Sequence, residues 1–307
     1  MRVGTGLMTM ALAATFVAWP TAQIDPQAIQ RMVATERAFA AATAEIGVRD
    51  GFLTFFADDA VEIDHDAGGR TSISRAKDAL VRRPLPKLPL SGTLMWEPFT
   101  GQIAGDGTLG WLTGAYAGVD ATGRTITAHG AYFSVWKRQP DSTWRVWLDE
   151  GVSLPDVWRD ASPFRAAPEP DAGVAGEAGE TLEAAEAAIS TSREAWTNHL
   201  GADVRVHRDG IMPLVGRDAA ETWRQGTWTS VTFTTVKIET SGSDDLGIAL
   251  GGYSATGAAG SEHGTWVRVW KRDVTGRWRI VFETSRSLGR VAAVDYQLAA
   301  RDELRFV

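Results

Sequence analysis

The sequence contains no cysteine in its 307 residues. Disulfide bonds, thiolate metal ligands and cysteine nucleophiles are therefore excluded together. The Gly-x-Ser-x-Gly elbow of many hydrolases and the P-loop are also absent. Asp64, His65, Asp66 and His129 offer oxygen and nitrogen ligands, but no His-x-His or His-x-x-x-His spacing occurs. We therefore expect neither a metal nor another cofactor.

Positive charge is also scarce. The 31 lysines and arginines face 38 aspartates and glutamates, which gives a formal net charge of −7. Nucleic-acid binding favours a basic surface, so we expect no nucleic-acid partner. A composition of 44% hydrophobic and 22% charged residues is that of a soluble globular chain, and its length allows about two domains. We interpret the 13 tryptophans first as core and hairpin residues.

The most informative feature is a stretch that occurs twice. Residues 129–150 and 263–284 align without a gap at an offset of 134 (270 − 136). His129, Trp136, Lys137, Arg138 and Trp144 recur as His263, Trp270, Lys271, Arg272 and Trp278. A repeat of this size indicates two similar structural units. Its Lys-Arg pairs suit the protection of exposed strand edges, although they could instead bind an anion.

The first 22 residues have the pattern of a secretory signal. Arg2 precedes a mostly apolar run from Gly6 to Trp19, and small residues follow up to Ala22. This order is typical of a signal peptide cleaved near Ala22, and the alternative is a buried N-terminal helix. The run is shorter than the ~20 residues of a membrane span. We expect an exported protein, secreted or periplasmic, with no stable membrane span.

Helical and strand patterns follow the same order in both halves. The first half predicts two helices between residues 25 and 56, a strand at 61–64, a helix at 74–82 and four strands between 94 and 148. The second half predicts an Ala-rich helix at 180–199, a strand at 203–207, a helix at 218–223 and four strands between 230 and 282. Residues 156–179 predict a flexible or loosely packed linker. We expect domains at 23–155 and 180–290, with a C-terminal tail at 291–307.

These elements carry motifs that resemble a known family. They are Ala-Asp-Asp-Ala-Val-Glu-Ile from residue 57, Gly-Asp-Gly-Thr-Leu-Gly-Trp-Leu-Thr-Gly-Ala-Tyr from residue 105, and the Trp-Lys-Arg hairpin at 136–149. The sequence resembles the DUF4440 or SnoaL-like group of the NTF2-like superfamily, well over 26–155 and more loosely over 180–288. The resemblance implies an α+β fold of two tandem cone-shaped barrels, each with helices packed on a strongly curved antiparallel sheet. Ketosteroid isomerase, polyketide cyclases, dehydratases and non-catalytic modules share that superfamily, so the fold does not select one activity.

The candidate catalytic residues come from three separated segments. They are Asp64 and Asp66 after the first short strand, and His129 and Asp149 at the two ends of the repeated hairpin. In a cone-shaped barrel these segments could converge and place an imidazole beside a carboxylate for acid–base chemistry. The two aspartates also suit a simple turn, and His129 also suits a strand end. Strand alternation places Asp149 on the face of Arg145, where an ordinary salt bridge is the alternative.

Eight further residues are candidates for ligand binding. They are His65, Tyr116, Tyr132, His207, Asp209, Tyr253, His263 and Glu283. His207 and Asp209 align with Asp64 and Asp66, and the second repeat carries Glu283 on the face of Arg279 by the same alternation. Tyrosines could donate a hydrogen bond to a ligand oxygen, as in isomerases that pair a carboxylate base with a tyrosine and a protonated acid. The tyrosines within repeated Gly-containing strands equally suit a structural hydroxyl.

Two classes of function fit this sequence. The first is an exported protein that binds a small hydrophobic or polar organic ligand, with isomerase-, cyclase- or dehydratase-like acid–base activity in domain 1. The second is a non-catalytic interaction or scaffold module, built as an intramolecular pseudo-dimer and able to form a homo-oligomer. An enzyme predicts that His129 and a carboxylate share an enclosed cavity, whereas a scaffold predicts a cavity filled by Trp and Phe side chains.

Overall fold

A computed structural model of the protein describes residues 26–65, 70–82, 92–159, 163–173, 175–190 and 192–288. The predicted signal segment 1–22, the candidate Asp66 and the predicted tail 291–307 lie outside the described residues. Within the part of the chain that is described, no helix is both long enough and apolar enough to cross a membrane.

The first half pairs three helices with an antiparallel meander. Its elements are α1 (Pro26–Ile46), α2 (Val48–Phe55), β1 (Val61–His65), β2 (Thr71–Arg75), α3 (Ala76–Arg82), β3 (Gly92–Ile103), β4 (Leu109–Asp120), β5 (Ile126–Arg138), β6 (Trp144–Ser153) and β7 (Arg165–Ala166). Gly47 separates α1 from α2 with a φ of 87°, a conformation that glycine adopts readily. β3 to β7 form a five-stranded sheet in the order β6-β5-β4-β3-β7, and β1 and β2 form a separate hairpin. The sequence pattern did not predict β2.

The second half repeats this plan with more strands in its sheet. Its elements are α4 (Leu182–Ile189), α5 (Arg193–His199), β8 (Leu200–Arg208), β9 (Leu214–Val215), α6 (Arg217–Thr227), β10 (Ser230–Thr240), β11 (Leu246–Gly257), β12 (Gly260–Arg272) and β13 (Trp278–Ser287). They form a six-stranded sheet in the order β10-β11-β12-β13-β8-β9, in which β8 runs parallel to β13. The single helix predicted at 180–199 is two helices in the structure. Ser192 caps α5 by accepting a 3.0 Å hydrogen bond from the backbone N–H of Ala195, and such a cap favours a helix start.

Bulges at matching places bend both sheets. The register shifts between Pro98 and Thr100 in β3 and between Thr235 and Lys237 in β10. The register also shifts between β5 and β6, where Trp147 of β6 is the extra residue, and between β12 and β13, where Val281 of β13 is the extra residue. A bulge increases strand twist and bends the sheet. The predicted α+β class with curved sheets is therefore confirmed.

Three large apolar clusters hold these layers together. One lies between α1, α2 and the inner face of the first sheet, and includes Phe39, Phe52 and Trp136. A second joins the helices of the second half to its own sheet. A third contains residues of both sheets, with Phe133 stacked on Phe282 at a centroid distance of 4.5 Å. The outer faces of the two sheets therefore pack against each other.

Part of the predicted linker at 156–179 is bound to the first sheet. Arg165 and Ala166 form β7, which pairs in parallel with β3. The side chain of Gln102 also donates a 2.7 Å hydrogen bond to the backbone oxygen of Pro168. An edge strand can accept a short proline-flanked partner, so the prediction of a loosely packed segment was wrong for these residues.

Candidate functional site

A cavity of about 860 Å³ opens where the two halves meet. The first half lines it with residues that include Phe52, Trp96, Tyr116, Tyr132 and Asp149. The second half adds residues that include Arg208, Trp223, Glu262 and Arg286. Its volume lies in the range of small-molecule sites. A pure scaffold would predict that Trp and Phe side chains fill this cavity, but the cavity is open.

A bulge directs Asp149 into this cavity. Val146 packs on the inner face of the first sheet and Leu148 in the cluster between the sheets, since the extra residue Trp147 interrupts the alternation. Asp149 pairs across the strands with Ser134 and lies on the inner face. The expectation that it shares a face with Arg145 was therefore wrong, because simple alternation fails at a bulge. Glu283 shares no face with Arg279 for the same reason, the extra residue there being Val281.

The Asp149 carboxyl is buried without a hydrogen-bond partner in the described part of the chain. It is 7% exposed. Burial, followed by the negative charges of Glu36 and Glu150, raises its pKa well above the ordinary range. A buried carboxyl of this kind favours its neutral form, in which the O–H can donate a hydrogen bond or a proton.

Tyr132 brings a second donor to the same place. It is 5% exposed, and its hydroxyl has no hydrogen-bond partner among the described residues. Burial and the charges of Glu36 and Asp149 raise its pKa well above the ordinary value, so the hydroxyl keeps its proton. Buried hydroxyls normally have a partner in proteins. A cavity-lining hydroxyl without one is suited to a ligand oxygen.

Glu36 is the functional residue that sequence reasoning missed. It lies on α1, is fully buried, and accepts hydrogen bonds from Trp96 Nε1 at 2.6 Å, Ser134 Oγ at 2.6 Å and Trp136 Nε1 at 2.8 Å. Burial nevertheless raises its pKa. A single acidic residue among the apolar positions of a helix, together with the repeated tryptophan of the hairpin, was the only available signal.

The equivalent place in the second half has a different charge balance. Arg268 occupies the position of Ser134 in the repeat (134 + 134). It donates to Glu186 at 2.9 Å and to Glu283 at 2.5 Å. Burial alone would raise the pKa of Glu283, but the charges of Arg268 and Arg224 outweigh it and the pKa is lowered. Glu283 is therefore an ion-paired carboxylate and does not line the cavity.

Arg208 and Glu262 form a closed ion pair on the second-half wall of the cavity. Arg208 donates to Glu262, and also to the Tyr253 hydroxyl at 3.0 Å. Tyr253 is thus a structural hydroxyl, consistent with the alternative that its strand motif allowed. Trp228 Nε1 donates to Glu262 at 2.6 Å.

The structure brings together five of the predicted site residues around the cavity: His65, Tyr116, Tyr132, Asp149 and Asp209. Asp209 accepts backbone hydrogen bonds from Ser153 at 2.9 Å and Ser287 at 3.3 Å, so it ties the two sheets together at the rim. Asp64 is partly buried and does not line the cavity.

The repeated histidines do not join the site. His129 shares its strand face with Ala131 and Phe133, which pack on the outer side, whereas Asp149 faces inward. His263 likewise lies on the face opposite Glu283. The strand period of two separates these pairs. The expectation that His129 and a carboxylate share the cavity was therefore wrong.

His207 is buried between the sheets, away from the cavity lining. It is 1% exposed and contacts Trp158 and Phe282, with ring centroids 5.6 and 4.9 Å away. Burial, with a smaller effect from Arg205, lowers its pKa to about 3. His207 is therefore a neutral ring that packs in the apolar interface, and it does not contribute to the cavity as a ligand-binding residue. No group of three metal-ligating side chains that could hold an ion occurs among the described residues.

Comparisons with known proteins give weak likenesses. No protein-family model matches the sequence, and no curated protein matches it. Among solved structures, a ketosteroid isomerase-like protein from Erwinia carotovora atroseptica has 14% identity over 36% of this chain and 95% of its own, with a TM-score of 0.31. A putative ketosteroid isomerase from Parabacteroides distasonis has 13% identity over 35% of this chain and 83% of its own, with a TM-score of 0.28. An NTF-2 like protein of unknown function from Shewanella oneidensis has 14% identity over 34% and 88%, with a TM-score of 0.26. Likenesses of this strength assign no activity.

Proposed function

We propose that the chain is an exported NTF2-like protein of the DUF4440 or SnoaL-like type, whose two tandem units pair as an intramolecular pseudo-dimer. The internal repeat at an offset of 134 (270 − 136) supports two related units. The apolar cluster shared by both sheets supports their pairing. The pairing leaves a cavity of about 860 Å³ that both units line, so a ligand in it contacts both halves.

The proposed function is to bind a small organic molecule in this cavity and to act on it by acid–base chemistry in the first half. Asp149 in its neutral form and the Tyr132 hydroxyl are two uncharged donors on one wall. The matching ligand feature is an oxygen that carries or develops negative charge, such as a carbonyl oxygen, because preorganised donors stabilise it in a dry site. One observation carries the proposal: the Tyr132 hydroxyl, which has no hydrogen-bond partner among the described residues, lines the cavity together with Asp149, a buried carboxyl whose pKa is raised.

A scaffold function remains the second candidate, and the cluster between the sheets favours it. Trp111, Phe133 and Phe282 are almost fully buried there. They serve assembly whether or not a ligand binds. The two candidates differ in what the cavity does, because a scaffold leaves the partnerless donors without a role.

The test is native mass spectrometry of the protein as purified, followed by identification of any small molecule that is released. We expect a bound organic molecule in the wild type, and occupancy at least about tenfold lower in Asp149→Leu, which keeps a similar size and cannot donate a hydrogen bond. Asp64→Leu is the matched control, because Asp64 does not line the cavity, and it should keep wild-type occupancy. Equal loss in both variants, or an empty wild type after exposure to a library of small carbonyl compounds, would overturn the proposal.

A further inference from the structure

Glu36 is a buried carboxyl that does not itself line the cavity but accepts a hydrogen bond from the lining residue Trp96. Its carboxylate accepts one hydrogen bond on Oε1, from Trp96, and two on Oε2, from Ser134 and Trp136. Hydrogen bonds donated to a carboxylate favour its charged form. Three donors and complete burial also leave the group a single orientation.

Asp149 lies beside Glu36 and accepts no hydrogen bond from the three groups that donate to Glu36. Ser134, which donates to Glu36, is the direct cross-strand partner of Asp149. Directly paired residues have Cβ atoms ~5 Å apart, so the two carboxyls are neighbours. Two close carboxyls cannot both ionise easily, and the pair shares the remaining proton. The hydrogen-bonded member, Glu36, loses its proton first.

Among the residues that the structure describes, no positive charge reverses that order. The other titratable groups that act on Asp149 and Tyr132 are Glu150 and Glu97, both acidic, and Arg37. Arg37 is about half exposed and is already paired with Glu97 at 2.6 Å. The charge of Glu36 is therefore uncompensated at the inner face of the sheet.

The second half shows what an arginine does at the same position. Arg268 binds both acids of its pair, Glu186 and Glu283. With Ser134 at the equivalent position, the described part of the first half places no cation between Glu36 and Asp149. The difference between Arg268 and Ser134 thus explains why the acids of the second half are ion-paired whereas Asp149 in the first half keeps its proton.

We propose that Glu36 is a positioning residue, which acts on the ligand through Asp149 by keeping the proton on that carboxyl. Serine at position 134 permits this action, and Arg268 abolishes it in the second half. Its effect on a ligand rests on the proposed function, whereas its effect on the proton does not. The raised pKa of Asp149, caused by burial first and then by the charge of Glu36, agrees with this assignment.

The experiment is a carboxyl ¹³C NMR titration of the full-length protein labelled on aspartate and glutamate. In the wild type we expect Glu36 to ionise at lower pH than Asp149. In Glu36→Gln, which keeps an oxygen acceptor for one of the two indole donors, the midpoint for Asp149 should move to lower pH. Glu186→Gln is the matched control, because it removes the equivalent buried acid of the other half, and it should leave the Asp149 midpoint unchanged.

An Asp149 midpoint that is the same in Glu36→Gln and wild type would overturn the proposal. If Glu36→Gln does not fold, the wild-type titration decides it, because ionisation of Asp149 before Glu36 contradicts the assignment. The proposed function fails separately: an empty cavity in native mass spectrometry leaves the titration result intact. If the wild type contains a ligand but the Asp149 midpoint is unchanged in Glu36→Gln, only the role of Glu36 is rejected.

Discussion

Asp149 and Glu283 occupy equivalent positions in the repeat, yet their surroundings give them opposite protonation. One faces a buried glutamate with no cation, and the other is ion-paired with Arg268. The sequence predicted Asp149 as a site residue because it ends the repeated hairpin, and Tyr132 because a tyrosine could donate a hydrogen bond to a ligand oxygen. It could not predict that His129 lies on the other face, nor that a bulge turns Asp149 inward, because bulges leave no clear sequence mark. The sequence did not predict Glu36 as a site residue, because its hydrogen-bond partners lie on strands 60 to 100 residues away.

Removing the Tyr132 hydroxyl should stabilise the free protein. A buried hydroxyl without a partner costs free energy, and phenylalanine keeps the ring, so Tyr132→Phe should raise the free energy of unfolding by about 1 kcal/mol. Urea denaturation measures this directly. Tyr253→Phe is the matched control and should lower it by a similar amount, since Tyr253 accepts a bond from Arg208. A destabilised Tyr132→Phe would show that the hydroxyl has a partner in the folded protein.

His207 should make the fold sensitive to acid. Its folded pKa is about 3, lowered by burial, against an ordinary value of 6.5. The unfolded chain therefore takes up a proton below pH 6.5 while the folded protein does not. Stability is lost as the pH falls from 6.5 toward 3, by about 1.4 kcal/mol per pH unit from this residue.

We expect His207→Leu to remove this component. Between pH 6.5 and 5 the wild type should lose about 2 kcal/mol more than the variant, measured by urea denaturation at each pH. Val267→Ala, in the same cluster between the sheets, removes no titratable group and should keep the wild-type pH dependence. Parallel curves for wild type and His207→Leu would contradict a buried neutral ring.

At the scale of elements, helix and strand order followed from the sequence because apolar period and turn residues agree along most of the chain. The exceptions have local causes. The helix predicted at 180–199 divides because Ser192 caps α5, a side-chain bond that periodicity does not show. β7 has two residues, too few to show a period of two, and β2 contains a single apolar residue, Ile73.

The cap at Ser192 supplies the test at this scale. Ser192→Ala removes the acceptor for the Ala195 N–H and should lower the free energy of unfolding by about 1 kcal/mol. Thermal denaturation followed by circular dichroism measures the change. Thr35→Ala, within α1, is a control that should have little effect or stabilise slightly. An unchanged free energy of unfolding in Ser192→Ala would contradict this stabilising role of the cap.

At the scale of the whole molecule, the repeat predicted two similar units, and the cluster between the sheets joins them. The sequence could not predict the shared cavity, because it depends on how two bulged sheets pack. We expect the two halves to unfold together, since exposing one outer face also exposes the other. Scanning calorimetry should give a single transition. Two well-resolved transitions would contradict a common core.

The most direct test of the central claim is a crystal structure of the protein as purified or with the molecule identified by mass spectrometry. We predict density for a small organic molecule in the shared cavity, with one of its oxygen atoms ~3 Å from both Tyr132 Oη and the Asp149 carboxyl. A cavity closed by Trp and Phe side chains, or a molecule bound away from these two groups, would contradict the claim.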